Sequence, residues 1–417
     1  MDNPLTYKYK IGLPLLLVSK FLLFLLIVSI CLREPYIHSR EILYFLFVPI
    51  SLIYGNYAKL SSVLLFLLIW GVTLLYNIIV PGSNAIQGRW FEGLINASYL
   101  FLLVFSNKRY YQTIIKAFTC AAIIVSVVTI VIWCICYISP VIRDALCVYF
   151  SKLMEETNLT FVGIGGRAIL GIDFFVVWYR TSPILVPILG ICYINRLKGE
   201  KNKRNTIKIV LFTVALFLSG TRANMLCSVL LLFVYEVFRL YKRKHFLVAL
   251  VILLSTVTSA AILANMFLND KGSISSSVKH LHQVSYFKTF ESDYVRTAFF
   301  GWGHGSSFYS LGRKKYLDLT ELSHWETIRR YGFVSFCLIM IFIWLKPLIK
   351  KVQYEKGLVK YYYVVVVLAY IFVACTNPYL LDSVGFCVLM FFDAVFEYES
   401  ICCNGDLQRR KVSPQTT

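Results

Sequence analysis

The chain has 417 residues, of which 58% are hydrophobic and only 15% are charged, and its mean hydropathy is +0.68. Because a soluble domain carries about 25% charged residues, this composition excludes the ordinary soluble classes and indicates a polytopic helical membrane protein. The net charge of +20 would suit a nucleic-acid-binding protein, but the chain has no soluble basic domain, so we expect no nucleic-acid partner.

Twelve apolar runs are candidates for membrane-spanning helices, since a helix needs about 20 mostly apolar residues to cross a bilayer. In chain order they cover residues 12–32, 41–55, 60–80, 91–106, 113–138, 181–195, 207–220, 223–239, 246–268, 331–349, 360–376 and 379–398. The second, fourth and seventh runs are short for a span. We predict an all-α integral membrane protein whose single membrane domain covers residues 1–417 and has about 12 transmembrane helices.

The basic residues predict the orientation of these spans. With Lys8 and Lys10 in the cytoplasm and strict alternation, the segments "NKRYYQTIIK", "NRLKGEKNKRN", "RLYKRKH" and "KPLIKKVQYEKGLVK" and the tail "QRRK" all fall on the same side. Because cytoplasmic loops concentrate Lys and Arg, we expect both termini to be cytoplasmic.

Two segments on the opposite side are long, at about 139–180 and about 269–330. Long connections in compact proteins are often functional, so we look for a site there. The second segment contains the polar stretch "NDKGSISSS" and then "VKHLHQVSYFKTF". The latter pattern predicts an amphipathic helix that lies along the membrane surface.

Arginines in and between the outer segments are candidate binding residues. Placing a charged arginine near the bilayer costs free energy, so such a residue usually faces a polar cavity. Arg222 lies in "LFLSGTRANML", where a tight turn explains the Ser and Gly but does not require an arginine. Arg167 and Arg180 lie in "GIGGRAILGIDFFVVWYRTSP", where glycines and a helix start at 181–183 suit a phosphate. The alternative for Arg180 is a guanidinium that extends to the membrane surface.

The segment "ESDYVRTAFFGWGHGSSFY" adds Arg296 and a glycine-rich run. The run "GWGHGSS" resembles a phosphate-cradling loop, but it lacks the Gly-Lys-Ser/Thr ending of a P-loop and the strand that precedes one. An ordinary glycine-rich turn is the alternative. We interpret His304 in this run as incidental rather than catalytic.

The stretch "LTELSHWETIRRYG" gathers ionisable residues just before the span at 331–349. On a helix, Glu321 would share a face with His324, and Glu326 with Arg329 and Arg330. Histidine and carboxylates accept protons at neutral pH, and arginine binds phosphate through two parallel hydrogen bonds. We expect this stretch to be helical, to run into the span and to supply the base. The alternative is a solvated helical turn whose charges pair locally.

Clustered outer arginines indicate one class of reaction. A lipid-linked diphosphate sugar is the activated donor on that side of a bacterial membrane, where nucleotide sugars and ATP are absent. Arginines would stabilise its diphosphate as the leaving group, while a base takes the proton from an acceptor hydroxyl. Asp293 and Asp318 are isolated in the outer segments, so we expect no metal and no other cofactor.

The order of these features resembles the bacterial O-antigen polymerases of the Wzy type, which are related to the O-antigen ligases. The matching features are about twelve spans, an arginine before "TSP", and the stretches "LSGTRANML", "GWGHGSS", "SHWETIRRYGFVSF" and "TNPYLLDSVG". The resemblance covers nearly the whole chain in layout, with motifs at about 160–190, 216–226, 296–336 and 374–386.

The resemblance implies a glycosyltransferase of the bacterial inner membrane whose active site faces the periplasm. The growing polysaccharide would leave one undecaprenyl diphosphate and join the sugar of another lipid-linked repeat unit, to build the O-antigen of lipopolysaccharide. The implied partners are these lipid-linked oligosaccharides, as donor and acceptor, the bilayer and a chain-length regulator protein.

The resemblance also assigns diphosphate-binding roles to arginines. Arg222 matches the arginine of the short loop that contacts diphosphate, and Arg296 matches a second one before the glycine-rich turn. Arg167 and Arg180 fall where the polymerases have essential loop arginines, and Arg329 matches an arginine of the polymerase pattern.

The identity of the base stays open between three residues. His324 falls near the catalytic histidine of the ligases, but it precedes Gly332 by eight residues instead of eleven, and Glu321 stands at the eleventh position. Glu326 matches a glutamate of the polymerase pattern. This spacing favours a polymerase over a ligase.

Three other functions compete with the polymerase. The first is a ligase that transfers polymer to lipid A-core. The second is a flippase or transporter for lipid-linked oligosaccharides, which would place charges near the bilayer midplane and show repeated halves. The third is a non-catalytic membrane scaffold, against which the clustered arginines argue.

Overall fold

The computed structural model describes residues 4–33, 39–53, 59–80, 98–157, 162–169, 172–199, 202–245, 247–248, 251, 274–318, 320–355, 357–375, 377 and 379–412. Its helices are α1 (Pro4–Leu32), α2 (Ser39–Ile53), α3 (Leu60–Ile79), α4 (Tyr111–Ile138), α5 (Pro140–Thr157), α6 (Leu185–Leu197), α7 (Lys203–Leu218), α8 (Arg222–Lys242), α9 (Ile274–Ser292), α10 (Ser323–Tyr331), α11 (Phe333–Ile339), α12 (Lys346–Tyr354), α13 (Val359–Cys375) and α14 (Ser383–Val412). Short 3₁₀ helices cover Tyr99–Phe105 and Ser182–Ile184, and π-helical turns cover Arg296–Phe300 and Met340–Leu345.

Two antiparallel hairpins complete the described architecture. Strands β1 (Val162–Ile169) and β2 (Ile172–Tyr179) pair with each other, as do β3 (Phe308–Ser310) and β4 (Lys315–Leu317). Both hairpins lie in the long segments predicted at 139–180 and 269–330, together with α5, α9 and α10. These segments therefore contain regular structure.

The chain is a helical membrane protein, as its composition predicts. Among the described residues, five helices are long and apolar enough to cross a membrane, namely Pro14–Leu32, Leu60–Ile79, Tyr111–Ile138, Arg222–Lys242 and Phe333–Tyr354. Shorter apolar helices cover Ser182–Leu197 and Val359–Cys375. The predicted span at 246–268 lies almost wholly outside the described residues, and the one at 91–106 is described only from residue 98 onward. The number of twelve spans stays a prediction.

Helix α14 lies in the middle of the packed helices. Its side chains from Val384 to Phe396 are almost all buried, which is the pattern of a helix surrounded by protein rather than by lipid. Helix α3, by contrast, buries Val63 and Phe66 and exposes Leu64 and Leu68. Such an exposed apolar face is suited to contact with lipid.

One end of the helix bundle is joined by hydrogen bonds between chain segments that are distant in sequence. The Tyr179 hydroxyl donates to the Leu32 carbonyl at 2.7 Å, and Thr181 Oγ1 donates to the Cys31 carbonyl at 2.5 Å. The Tyr379 hydroxyl donates to the Arg180 carbonyl. These bonds bring together the end of α1, the start of α6 and the approach to α14.

The opposite end of the bundle carries lysines and glutamates. Lys198 and Lys351 place their Nζ atoms 3.6 and 3.0 Å from Glu355 Oε2. The side chain of Lys59 pairs with buried Asp393.

We refer to the junction of α1, α6 and α14, which carries Arg33 and Arg180, as the arginine-bearing end. The lysine end also carries arginines, since Arg196 and Arg239 lie in the last turns of α6 and α8.

The predicted amphipathic helix within 278–290 is confirmed as a helix, because it lies in α9. Tyr286 and Phe290 pack on Phe308 and Ile328 of the neighbouring elements, while Phe287 is exposed. Its position along a membrane surface stays a prediction.

The expectation that "ELSHWETIRRYG" runs into the next span was wrong in one respect. Helix α10 begins at Ser323 and ends before Gly332, whose φ of 83° and ψ of 161° interrupt the path to α11. That conformation is open essentially to glycine alone. A Cβ atom at this position would lie 2.6 Å from the carbonyl carbon of Phe299, so the break also lets the 299–301 backbone pack closely.

We expect Gly332→Ala to destabilise the protein more than Gly357→Ala does. Both glycines have positive φ angles, so each alanine carries the strain of that conformation, about 1–3 kcal/mol. At Gly357 a Cβ atom would meet nothing within 4 Å, so only the alanine at 332 adds a backbone clash. Thermal unfolding of both variants in detergent measures the difference, and equal losses of stability would refute the close-packing role of Gly332.

Candidate functional site

A small polar cavity of about 90 Å³ opens at the arginine-bearing end of the bundle. Its lining consists of Arg33, Arg180, His304, Ser323, Glu326, Thr327, Arg330, Tyr331, Leu381 and Asp382. Three arginines and one histidine among these residues offer N–H donors, which suits an anion. Among the described residues, no group of three or more His, Cys, Asp and Glu side chains could hold a metal ion.

Helix α10 supplies much of the cavity wall. Ser323, Thr327 and Arg330 line the cavity from this helix, because residues three and four positions apart share a helix face. Glu326 lies in the first turn of α10 and Arg329 and Arg330 lie in the last. These charges complement the partial charges at the two helix ends.

The glycine-rich run is an ordinary turn that caps α10. The Trp302 amide donates to the Arg329 carbonyl at 2.7 Å, and the Gly303 amide donates to the Arg330 carbonyl at 3.1 Å. These bonds satisfy carbonyl groups that would otherwise be unpaired at the helix end. The two amides are therefore not available to cradle a phosphate, and the turn instead places His304 in the cavity.

The carboxylate of Glu326 joins the charged residues of α10. Its Oε1 accepts from Arg329 Nη2 at 2.6 Å and Arg330 Nε at 2.5 Å, and its Oε2 accepts from Tyr286 at 2.6 Å and Arg329 Nε at 3.1 Å. Burial by itself would raise the pKa of Glu326, but the two arginines and these hydrogen bonds outweigh it and hold the pKa at about 2. An ionised carboxylate with four donors is a poor proton acceptor, so this geometry favours an anchoring role for Glu326.

Arg329 is a buried structural residue in this geometry. Besides its two bonds to Glu326, it donates through Nη1 to Ser306 O and Oγ at 3.0 and 2.5 Å and through Nη2 to Asp318 O at 3.0 Å. Its guanidinium also lies 5.1 Å from the centre of the Phe308 ring. A guanidinium has five N–H groups, and all five are used. Arg329 therefore has no N–H group left for the predicted diphosphate-binding role.

Arg330 does not use all of its N–H groups on protein oxygen acceptors. Its Nε donates to Glu326, its Nη2 donates to Asp318 O at 3.1 Å, and its Nη1 lies 2.9 Å from Nε2 and 3.4 Å from Nδ1 of His304. Of its five N–H groups, the second one on Nη2 has no partner among the described residues, and those on Nη1 contact only the uncharged imidazole. Because Arg330 lines the cavity, Nη1 and Nη2 are placed to bind an anion there.

The far wall of the cavity combines Arg33, Arg180 and Asp382. Arg33 Nη1 donates to Asp382 Oδ2 at 3.3 Å, while Asp382 Oδ1 accepts from the Gly385 amide at 2.8 Å and caps α14. No carboxylate lies within ion-pairing distance of Arg180 among the described residues. Arg180 is therefore a second candidate for binding an anion, as the sequence analysis predicts.

His304 reaches the cavity between Arg330 and Tyr331. Its Nδ1 lies 3.3 Å from the Tyr331 hydroxyl. Burial lowers the pKa of His304 well below its usual value, and the positive charges of Arg330 and Arg329 outweigh the opposing effect of Glu326. The imidazole is therefore neutral at pH 7. The sequence interpretation of His304 as incidental does not account for this position in the cavity.

Two other arginines predicted to bind diphosphate, Arg222 and Arg296, do not line the cavity. Arg222 begins α8 and is half-buried at the same end of the bundle. Arg296 is buried, with its Nε 3.5 Å from Asp293 Oδ2 and its guanidinium 5.9 Å from the centre of the Tyr76 ring. Arg167 lies in β1, and its side chain lies outside the described residues. The roles of these three arginines stay predictions.

Glu321 and His324, the other two predicted bases, also lie away from the cavity lining. Glu321 is exposed and pairs with Lys279 at 3.3 Å. Nε2 of His324 lies 3.2 Å from Cys375 Sγ, and burial lowers the pKa of this histidine. The structure thus separates both side chains from the residues that could hold an anion.

Three cavity residues were missed by the sequence analysis or set aside in it. Arg33 directly follows the first apolar run, and Asp382 precedes Ser383 at a helix start, which is a typical capping position. These local signals are present in the sequence, but neither one indicates that Arg33 and Asp382 pair with each other. The sequence analysis interpreted His304 as incidental, because a glycine-rich run alone does not show where the histidine side chain points.

Comparisons of the chain with protein-family models, with curated proteins and with solved structures found no match. The interpretation of the cavity therefore depends on its own geometry.

We expect Glu326→Gln to destabilise the protein by about 3–5 kcal/mol, because removing one partner of a buried ion pair leaves the other charges uncompensated. The control is Glu321→Gln, an exposed pair that we expect to change stability by less than about 0.5 kcal/mol. Unfolding by denaturant in detergent measures both variants, and a loss below about 1 kcal/mol for Glu326→Gln would contradict the anchoring role.

The pH dependence of stability provides a second measurement on Glu326. Since its folded pKa of about 2 lies below the ordinary value of 4.5, its charge contributes full stability above about pH 4.5, and this contribution is lost as the pH falls toward 2. Between these values the unfolding free energy of the wild type should fall more steeply than that of Glu326→Gln. Parallel curves would show that the carboxylate is not held ionised by its arginines.

Proposed function

We propose that this protein is a membrane glycosyltransferase that polymerises undecaprenyl-diphosphate-linked repeat units, as the O-antigen polymerases do. The observation that carries the proposal is the cavity in which Arg33, Arg180 and Arg330 surround a neutral histidine. A diphosphate leaving group needs cationic donors, and attack by an acceptor hydroxyl needs a base beside them.

The position of the cavity in the bundle supports a substrate that is anchored in lipid. The cavity lies where α1 ends and α14 begins, beside the start of α11, so a polyprenyl chain would stay in the bilayer while its headgroup enters. The opposite end carries Lys59, Lys198 and Lys351. By the positive-inside rule, we propose that the lysine end is cytoplasmic and that the cavity faces the periplasm.

In the proposed reaction, Arg180 and Arg330 hold the diphosphate of the donor and stabilise the charge that develops on it. The hydroxyl of the acceptor sugar loses its proton to a base in the cavity, and its oxygen bonds to the anomeric carbon of the donor. The bond from that carbon to the diphosphate oxygen breaks, and undecaprenyl diphosphate leaves with the electron pair.

We expect Arg180→Ala and Arg330→Ala to lower polymerisation by about 10²–10³-fold, as the removal of one transition-state donor does. In a strain that lacks the chromosomal copy, each variant would leave lipopolysaccharide with core plus a single repeat unit instead of a long ladder on a gel. Arg313→Ala is the matched control, because Arg313 is exposed in the turn between β3 and β4, and it should keep the ladder. Insertion is checked by membrane fractionation.

Three outcomes would overturn the assignment. A normal ladder from Arg180→Ala and Arg330→Ala would remove the cavity as the diphosphate site. If Arg222→Ala and Arg296→Ala alone lost the ladder, the diphosphate would bind at the arginines that the sequence resemblance selects. If deletion of the chain leaves core alone, without any repeat unit, the protein is the ligase instead of the polymerase.

A further inference from the structure

Helix α4 is long enough to cross the bilayer by itself and ends at the arginine-bearing end of the bundle. Its 28 residues extend over about 42 Å, more than the thickness of about 30 Å of a hydrocarbon core. Near its end the rings of Trp133 and Tyr137 stack with their centres 5.0 Å apart, and Trp133 Nε1 donates to the Phe175 carbonyl of β2 at 2.9 Å. Because tryptophan and tyrosine concentrate where a membrane meets water, we place the membrane boundary near these rings.

Helix α5 starts at this boundary and changes the direction of the chain there. Ser139, the single residue between the two helices, is extended, with φ −127° and ψ 103°, as is favoured for a residue before proline. Its carbonyl accepts from the Arg143 amide at 3.0 Å, and its hydroxyl accepts from the Ile142 amide at 3.4 Å, so Ser139 caps the first turn of α5. The chain therefore leaves the axis of α4 at the depth where the membrane meets water.

The side of α5 that faces away from the protein is apolar over its first three turns. Val141 is 79% exposed, Val148 is 70% exposed and Tyr149 is 55% exposed. The opposite side is held by the protein, because Leu153 is buried and the helix packs on β1. Large apolar side chains that are exposed together on one helix face indicate a surface that is covered in the native environment.

The apolar face of α5 continues the lipid-facing surface of α4. Exposed apolar side chains recur every three or four residues along the spanning helix, at Val127, Val131, Ile135 and Ile138. This spacing places them on one face of α4. Val141 follows Ile138 by three residues, so the surface that lipid covers on α4 passes directly to α5. This continuity favours lipid as the partner of the α5 face.

The charges on α5 indicate how the helix lies in the membrane surface. Lys152 and Glu156 are exposed in its last two turns, with Nζ and Oε1 4.0 Å apart. Arg143 and Asp144 pair at 3.1 Å at the edge of the apolar face. The exposed side is thus apolar near the start of α5 and charged near its end. This gradient is typical of a helix whose first turns are immersed in the headgroup region and whose end rises toward water.

We propose that α5 is an interfacial helix that binds the lipid leaflet at the arginine-bearing end and thereby holds the β1–β2 hairpin at the depth of the lipid headgroups. In this hairpin Val162, at the start of β1, lies opposite Tyr179, and Arg180 follows Tyr179 directly. The contact of α5 with lipid is independent of the proposed function. Its consequence for Arg180, which would bind the substrate diphosphate, rests on that function.

The first test is photocrosslinking of the full-length protein with p-benzoylphenylalanine, placed singly at Val141, Val148 or Tyr149. The protein is reconstituted in vesicles of phosphatidylethanolamine and phosphatidylglycerol, and its intact mass is measured after illumination. We expect phospholipid adducts at all three positions, as at Val131 on α4. The matched control is Glu156 on the same helix, where the adduct should be lost. Thermal unfolding in detergent confirms that each protein is folded.

Two results would overturn the contact with lipid. In the first, Val131 gives phospholipid adducts and Val141 and Val148 do not, which would mean that water covers this face of α5. In the second, the same positions are crosslinked in native membranes and give adducts of protein mass instead of phospholipid. The face would then bind another protein, either a second copy of this chain or a different partner.

The double variant Val141→Asp with Val148→Asp tests the holding role of α5. The added charges should draw this face out of the lipid, so the phospholipid adduct at Tyr149 should be lost. Polymerisation should fall by up to about 10²-fold, since misplacing a binding group by about 1 Å can cost that much. Ser151→Asp, which adds a charge at another exposed position of α5, is the matched control and should change neither readout.

The two readouts separate the inference from the proposed function. If the double variant loses the adduct at Tyr149 but keeps the full ladder, the hairpin does not depend on α5 and the holding role is wrong. If the wild type gives phospholipid adducts but deletion of the chain leaves the ladder intact, the contact with lipid stands and the polymerase proposal fails.

Discussion

A buried carboxylate between two consecutive arginines organises the arginine-bearing end of this protein. Glu326 accepts four hydrogen bonds, three of them from Arg329 and Arg330. Burying three charges together is tolerable only when their donors and acceptors are matched. The match divides the two neighbouring arginines into different roles, because Arg329 has used all its N–H groups on protein acceptors and Arg330 has not. One side chain is thereby part of the scaffold, and the next is available to a ligand.

The turn that follows the π-helical segment at Arg296–Phe300 depends on the same constraint. Because the backbone amides of Trp302 and Gly303 bind the last carbonyls of α10, the turn cannot also hold a phosphate with them. What it contributes to the cavity is the side chain of His304. The anion site, as we interpret it, is made of arginine side chains that converge from α10 and from the ends of α1 and β2, rather than of loop amides.

Much of the protein follows from local sequence patterns. The apolar runs predict a helical membrane protein, and the spacing of Glu326, Arg329 and Arg330 predicts their shared helix face, because both features depend on residues close in the chain. The helix at 278–290 was predicted for the same reason. The break at Gly332 was missed, since a glycine beside an apolar run does not show that the backbone of Phe299 packs against it.

The composition of the cavity is a property of the tertiary structure. Arg33 and Asp382 lie 349 residues apart in the chain, and no local pattern relates them. The sequence by itself determined the class of protein, since this depends on hydropathy along the chain. Only the packing decided which arginine keeps free donors and which histidine faces them, because donor count and burial are set by contacts between segments that are distant in sequence.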